Sequence, residues 1–422
     1  MASIADQGAA AAISFVASVF IGRHMGAEAL GIYAITNVFV ILIRAFQNSL
    51  VLEPMSVFGA KKSVQEMPTY FGFLLAMEGA TVGGSTLLLA LGSAAAYGAG
   101  YIERNLLYAL LAAAVYANLL CFQYFLRRQF YIEQRQYLAT IQSVTYLVLV
   151  IAGLAAMWWL SDLSVVDVYV LLSISSLGVC VVQGGRFWQR LARPARDDVS
   201  RYREDHWTYG RWVLLGVPLA ILTYQGYFFI VGALISAEAA GHLKAVDTLV
   251  APFAQVAIGL SLMLVPMTSR GIGSMSLRAQ QVHAIRMGLP LLGLSVIYGG
   301  AIFLGGEYAL KALFGSGIEE ALSLVQIMAF VPFLRALPQP AGIVLSALQR
   351  SNLRFFSQVL AAIGTFAVSI PLVLAYGLTG AAWGMLISLG LFALSQWACL
   401  LWLWRRMARK QSQPIAAQPS ES

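Results

Sequence analysis

The sequence predicts an all-α, polytopic membrane protein, with about 12 transmembrane helices in two pseudo-symmetric six-helix bundles around a central cavity. Composition is the first ground. Of 422 residues, 59% are hydrophobic and only 11% are charged, against roughly 25% charged in an ordinary soluble domain. Too little polar surface remains to cover a globule in water. The second ground is that apolar runs of helix-spanning length recur from end to end, without the residue-by-residue alternation of a membrane barrel. The third is a duplication. Ala27-Glu28-Ala29-Leu30-Gly31 reappears as Ala237-Glu238-Ala239-Ala240-Gly241, and each copy leads into an apolar run that closes on Pro54-Met55-Ser56 or Pro266-Met267-Thr268. The copies stand 210 residues apart at the glycines and 212 at the prolines, so one small insertion separates them. A duplicated unit in so apolar a chain points to a site between the repeats.

In chain order, the first span, 4–21, has no positive region ahead of it and contains Asp6, which reads as a retained helix and not a cleaved leader. Spans follow at 32–53, 69–97, 105–126, 137–160 and 165–185, and then at 212–235, 245–265, 287–306, 321–348, 355–376 and 379–404. Residues 1–185 form an N-terminal bundle and 212–404 a C-terminal one. Between them, 186–211 carries seven arginines, Asp197, Asp198, Glu204, Asp205 and the breaker Pro194, and reads as a solvated cytoplasmic linker. Trp188, Tyr202, Trp207, Tyr209 and Trp212 flank it as interfacial anchors do. Residues 405–422 read as a polar cytoplasmic tail.

Charge placement sets the orientation. With both termini cytoplasmic, 21 of the 27 basic residues fall on the cytoplasmic side, and the opposite face receives Arg23, Arg104, Lys244 and Lys311. This asymmetry predicts a multi-pass protein with both termini inside. It also accounts for the net charge of +8 without nucleic acid as a partner. Cys121, Cys180 and Cys399 each sit alone in an apolar run, which argues against disulfides and a metal cluster.

An ionisable side chain at the centre of a span costs roughly 3 kcal/mol on insertion scales, so each one marks a site by default. On the second span Asn37, Arg44 and Asn48 fall seven and four residues apart, on one helical face, with Gln47 beside them. That face lines a cavity or, alternatively, holds Arg44 against neighbouring carbonyls as interhelical glue. Arg335 lies mid-span among Pro332, Pro338 and Pro340, where the helix loses hydrogen bonds; the break borders a cavity or is a structural kink. Arginines from opposite halves meeting across one cavity would suit phosphate, because the planar fork donates two bonds at once. Glu78, with Thr81 and Ser85 on its face, and Asp247, at the repeat position of Asn37, are candidates for coupling an H+ or Na+ gradient; each equally reads as a counter-charge to an arginine. Glu53 reads as interfacial. Asp6 and Gln7 either face the cavity or cap the first helix. No Gly-rich phosphate loop, Asp-x-Asp or metal-ligand spacing occurs, and His24, His206, His242 and His283 are scattered.

The run Gly22-Arg23-His24-Met25-Gly26, followed by Gly31 and Tyr33, resembles the signature Arg-x-x-Gly, four residues, Gly-x-Tyr/Phe, which links the first two helices of polysaccharide transporters. These are the oligosaccharide-lipid flippases of the multidrug/oligosaccharidyl-lipid/polysaccharide superfamily. Asp6-Gln7 ahead of Ser14-Phe15, the Pro54-Met55 ending, and Tyr376-Gly377-Leu378-Thr379-Gly380-Ala381-Ala382 before the last helix are similar to that family too. The resemblance implies two bundles that alternate between inward- and outward-open states. It also implies a polyprenyl diphosphate carrying a sugar repeat unit as substrate, membrane lipid and polysaccharide assembly machinery as partners, and no cofactor beyond an ion gradient. In the lipid II flippase branch basic residues on the second helix line the cavity, and Arg44 falls in a similar place; Arg23 and Gln225 are secondary candidates. At Thr223-Tyr224-Gln225 this chain departs from relatives that are more acidic there, which leaves the ion open. Two competitors remain. A drug or organic-cation antiporter on the same fold calls for carboxylates and aromatics in the cavity. A membrane polymerase or glycosyltransferase calls for a sizeable acidic outer loop, and the outer loops here are short.

Overall fold

The computed structural model describes residues 2–411, except 60, 61, 64, 134, 161, 189, 190, 270, 316 and 349. Among these residues every regular element is helical. The first half comprises α1 (Ala2–His24), α2 (Gly26–Gln47), α3 (Glu53–Gly59), α4 (Met67–Glu78), α5 (Gly84–Gly98), α6 (Arg104–Ile132), α7 (Gln136–Met157) and α8 (Val165–Trp188). The second comprises α9 (Arg196–Leu234), α10 (Ala237–Ser269), α11 (Leu277–Phe314), α12 (Glu319–Met328), α13 (Val331–Ala336), α14 (Gln339–Ala347) and α15 (Ser351–Gln411). Nine helical segments among the described residues are long and apolar enough to cross a membrane, and the 44° bent pair Glu319–Met328 and Val331–Ala347 makes a tenth. The protein is a multi-pass membrane protein.

Several of these rods are continuous through local defects with identifiable causes. α2 passes through a π-turn, Asn48–Leu52, directly into α3. Pro54 has no N–H for the carbonyl four residues back, that of Leu50, and its ring crowds that oxygen, so the helix widens there. α4 and α5 are joined in the same way by the π-turn Gly79–Gly83. The proline-rich tenth span breaks as its composition predicts, and at the junction of α13 and α14 the carbonyl of Leu337 accepts a hydrogen bond from Trp397 Nε1 (2.8 Å). α15 is interrupted at Gly377, which takes φ 59°, ψ −135° in the Tyr376–Ala382 stretch expected to turn.

The two halves meet along α2 and α10, and the contact is made by the duplicated motif itself. A Cβ on Gly31 would run into the carbonyl of Ala237, and a Cβ on Gly241 into the carbonyl of Ala27. Only glycine lets two helix backbones come this close. We call this the glycine end of the molecule, and the end carrying the arginine-rich connection the linker end.

That connection is less solvated than its composition suggests. From Arg196 onward it forms the first turns of the 39-residue α9, and Tyr202 and His206 are fully buried against α3 and α4. His206 Nδ1 donates to the Leu50 carbonyl that Pro54 sets free (3.0 Å), and its Nε2 accepts from the Tyr70 hydroxyl (2.9 Å). Burial pushes the His206 pKa below its ordinary 6.5.

Candidate functional site

A cavity of about 770 Å³ lies between the halves, walled by α1, α2, α6, α7 and α8 on one side and by α9, α10, α13 and α14 on the other. Five residues singled out from the sequence line it: Asn37 and Arg44 on α2, Gln225 on α9, Asp247 on α10 and Arg335 on α13. Asn37 and Arg44 are two helical turns apart on one face. Asp247 is the repeat counterpart of Asn37, and α10 presents it to the same space.

The cavity also contains residues that sequence reasoning missed. Lys244, expected on the outer face, is buried and lines the cavity. α10 begins at Ala237, so Lys244 is already two turns inside the helix, three residues before Asp247 and on its face. Arg127, expected at the cytoplasmic rim, lines it from α6 together with Tyr116, Gln123 and Tyr124. Those four fall at offsets of 7, 8 and 11 residues, one helical stripe, which was the available signal. Tyr33, Tyr146 and Tyr224 add further phenols, and the hydroxyls of Tyr116 and Tyr146 are paired at 3.1 Å. Among the described lining residues four cations, Arg44, Arg127, Lys244 and Arg335, face one carboxylate, Asp247, a balance of +3 (four less one).

The cations fall into two groups. Arg44 lies over the ring of Tyr124, 4.2 Å from its centroid, and Arg127 approaches the same ring at 4.8 Å. Among the described residues Arg44 has no carboxylate partner and donates no hydrogen bond to protein. In the second group, Lys244 Nζ donates to Asp247 Oδ2 (3.1 Å), and Arg335 Nη2 stands 3.7 Å from Asp247 Oδ1. The latter is an ion pair too long to be a hydrogen bond. Arg335 Nε is buried without a partner, and its guanidinium carbon lies 5.8 Å from the Tyr224 ring. All three side chains of this trio are about nine-tenths buried, at 9%, 8% and 11% exposure.

Other sequence candidates lie elsewhere. Gln47, three residues past Arg44, turns into the first bundle, where its Nε2 donates to Glu78 Oε1 and to the carbonyl of Cys121, both at 2.6 Å. Glu78 is therefore part of a buried pair away from the cavity, its second carboxyl oxygen without a hydrogen bond. Asn48 opens the π-turn at the linker end; it donates to Glu53 (2.8 Å) and accepts from Arg128 (3.4 Å). A helix that widens after Gln47 no longer keeps the straight stripe that places Asn48 below Arg44. Arg23 is exposed at the glycine end and donates to the carbonyl of Ala312 (2.8 Å), tying α1 to α11. The side chains of Asp6 and Gln7 lie outside the described residues.

The sequence matches no family model and no curated relative. Solved structures are similar over nearly the whole chain. An inward-facing multidrug resistance MATE family transporter of the MOP superfamily superposes with a TM-score of 0.79 at 11% identity, over 95% of this chain and 96% of that one. The lipid II flippase MurJ, in an inward closed conformation, gives 0.75 at 11% identity, over 96% and 87%. A Vibrio cholerae MATE transporter gives 0.62 at 18% identity, over 98% and 96%. At such identities the likeness is one of fold, and the chain has the fold shared by MATE transporters and the flippase MurJ.

Proposed function

We propose that this protein is a flippase that moves a polyprenyl-diphosphate-linked oligosaccharide across a bacterial cytoplasmic membrane by alternating access, its 12 spans forming two six-helix bundles that rock about the α2–α10 contact. One observation carries the reading: two guanidinium groups, Arg44 and Arg335, one from each half, face a single cavity, and neither donates a hydrogen bond to the described protein. Donors left free inside a membrane protein are costly unless a ligand uses them. The planar fork of arginine matches phosphate, where a point-charge cation would not fix orientation. Moving a diphosphate through hydrocarbon unaided strips ionised oxygens of water, and a path lined with donors lowers that barrier. The tyrosine hydroxyls, Gln123 and Asn37 supply neutral donors and acceptors suited to a sugar head group. MurJ, named as a lipid II flippase, supports a lipid-linked substrate. Asp247 and Glu78 are the carboxyls available for coupling to an H+ or Na+ gradient.

The test is translocation of a fluorescent polyprenyl-diphosphate glycan in proteoliposomes, read as the fraction reaching the far leaflet. Arg44→Ala and Arg335→Ala should each slow it by tenfold or more, about what 1.4 kcal/mol of lost binding gives, while eluting as folded protein in gel filtration. Full rates in both variants would end the diphosphate reading. The organic-cation antiporter remains the second reading because tyrosines line the cavity and a MATE transporter superposes well. The cationic balance of the lining opposes it, and uptake of a fluorescent organic cation in the same vesicles separates the two.

A further inference from the structure

We propose that Lys244 and Arg335 form a second phosphate-binding station in the cavity, nearer the glycine end, and that Asp247 occupies it as a tethered carboxylate until a substrate phosphate displaces it. The identity of that substrate rests on the flippase reading above; the station itself rests on geometry. α2 and α10 both start at the glycine end. Arg44 is 18 residues into α2 from Gly26, and Lys244 is seven residues into α10 from Ala237. At about 1.5 Å per residue the two cations differ in depth by on the order of 16 Å. They cannot serve one phosphate group. The cavity therefore holds two cationic levels, Arg44 and Arg127 toward the linker end and Lys244 with Arg335 toward the glycine end.

The second level is occupied, but loosely. Asp247 gives one carboxylate oxygen to each cation, at 3.1 Å to Lys244 and 3.7 Å to Arg335. Of the five N–H donors of Arg335, none is within hydrogen-bonding range of Asp247, and Nε is buried without a partner. A carboxylate on a short side chain reaches the lysine and falls short of the fork; a free phosphate, with more oxygens and more charge, satisfies both. Lys244, Arg335 and Asp247 sum to +1 (two cations less one carboxylate), so the level attracts an anion even while Asp247 is in place.

The duplication shows that the carboxylate is particular to this level. In the first half its repeat position is held by Asn37, which is neutral, and no carboxylate pairs with Arg44 among the described residues. Arg44 therefore has no internal carboxylate to displace among the described residues, whereas the level toward the glycine end is self-occupied. A substrate phosphate meets no competing carboxylate at Arg44 and gains the second level only by exchanging with Asp247. The exchange makes occupancy of the deeper level conditional on a group that competes better than a carboxylate, which is a filter for phosphate over carboxylic acids.

The probe is inorganic pyrophosphate, titrated calorimetrically into the full-length protein in neutral-lipid nanodiscs at fixed ionic strength. Asp247→Asn should tighten pyrophosphate binding about tenfold. The gain should persist in Arg44→Ala Asp247→Asn, and it should vanish when Arg335→Ala is added. Unchanged or weaker binding by Asp247→Asn, or a gain that survives loss of Arg335, overturns the station, as does an absence of pyrophosphate binding in all variants. If Asp247→Asn is too unstable to titrate, its thermal midpoint should rise with pyrophosphate several times more than that of the native chain; an equal or smaller rise is equally fatal. The two proposals fail separately. Should Asp247→Asn leave pyrophosphate binding unchanged while Arg44→Ala still stops glycan translocation, only the station falls. Should the tightening appear while Arg44→Ala and Arg335→Ala flip the glycan at full rate, the station stands as an anion site and the diphosphate reading of the two arginines goes.

Discussion

His206 holds one proton, and a second would oblige the Tyr70 hydroxyl to turn from donor to acceptor. Its Nδ1–H is spent on the Leu50 carbonyl and its Nε2 takes the Tyr70 hydroxyl, inside a cluster of Phe58, Phe73 and Tyr202. Asp205 nearby favours the charged form, but burial outweighs it, and the folded pKa lies below 6.5. As pH falls through 6.5 the unfolded chain takes the proton first, so this stabilisation is complete above that value and is lost below it. Between about pH 7.5 and 5.5 the thermal midpoint should drop, and His206→Asn should shrink the drop; a native-size drop in the variant would rule the histidine out as its source. From the sequence His206 was one of four scattered histidines, since nothing local shows that a proline 152 residues earlier frees its acceptor. Arg44 and Arg335 were legible because an ionisable group in mid-span announces itself, and Asp247 because it stands at the repeat position of Asn37. Lys244 and Arg127 were not, because near a helix end composition alone does not separate a loop cation from one turned inward.

Among the elements, α2 carries most of the argument. It contributes Gly31 to the contact between halves, Asn37 and Arg44 to the cavity, and through its π-turn the Leu50 carbonyl to α9, so three functions share one helix at different heights. Its first part is also the least tolerant of added volume. Gly31→Ala places a methyl group against the Ala237 carbonyl and must push α10 away, at a cost of about 1–3 kcal/mol by analogy with overpacked cores. A fall in thermal midpoint with earlier opening of the glycine end, seen as increased labelling of a cysteine introduced at Ala34, is the expected result. Wild-type stability and labelling would show that the close approach is dispensable. The tenth span was readable as broken from its three prolines. The docking of α9 was not, because an arginine-rich segment with alternating acids has the composition of a solvated one; only the burial of Tyr202 and His206 distinguishes them.

For the molecule as a whole, the duplication read from ten residues is the seam along which the halves touch. That seam predicts non-additivity. Once Gly31→Ala has moved α2 from α10, adding Gly241→Ala should cost little more, so the double variant should lose clearly less stability than the two singles summed. Full additivity would mean that the two glycines act at independent places. The contact is reciprocal: residue 31 meets residue 237 as residue 241 meets residue 27. This is the arrangement of an isologous dimer interface, in which a single patch serves as its own partner. In a dimer of identical chains, any side chain placed on one side of the axis is placed on the other as well, and a carboxylate facing the pocket comes as two. Covalent fusion lifts that obligation. Asn37 and Asp247 occupy the same place in the two copies with different charge, an inequality that no pair of identical subunits could hold and that makes the two walls of the cavity chemically unlike.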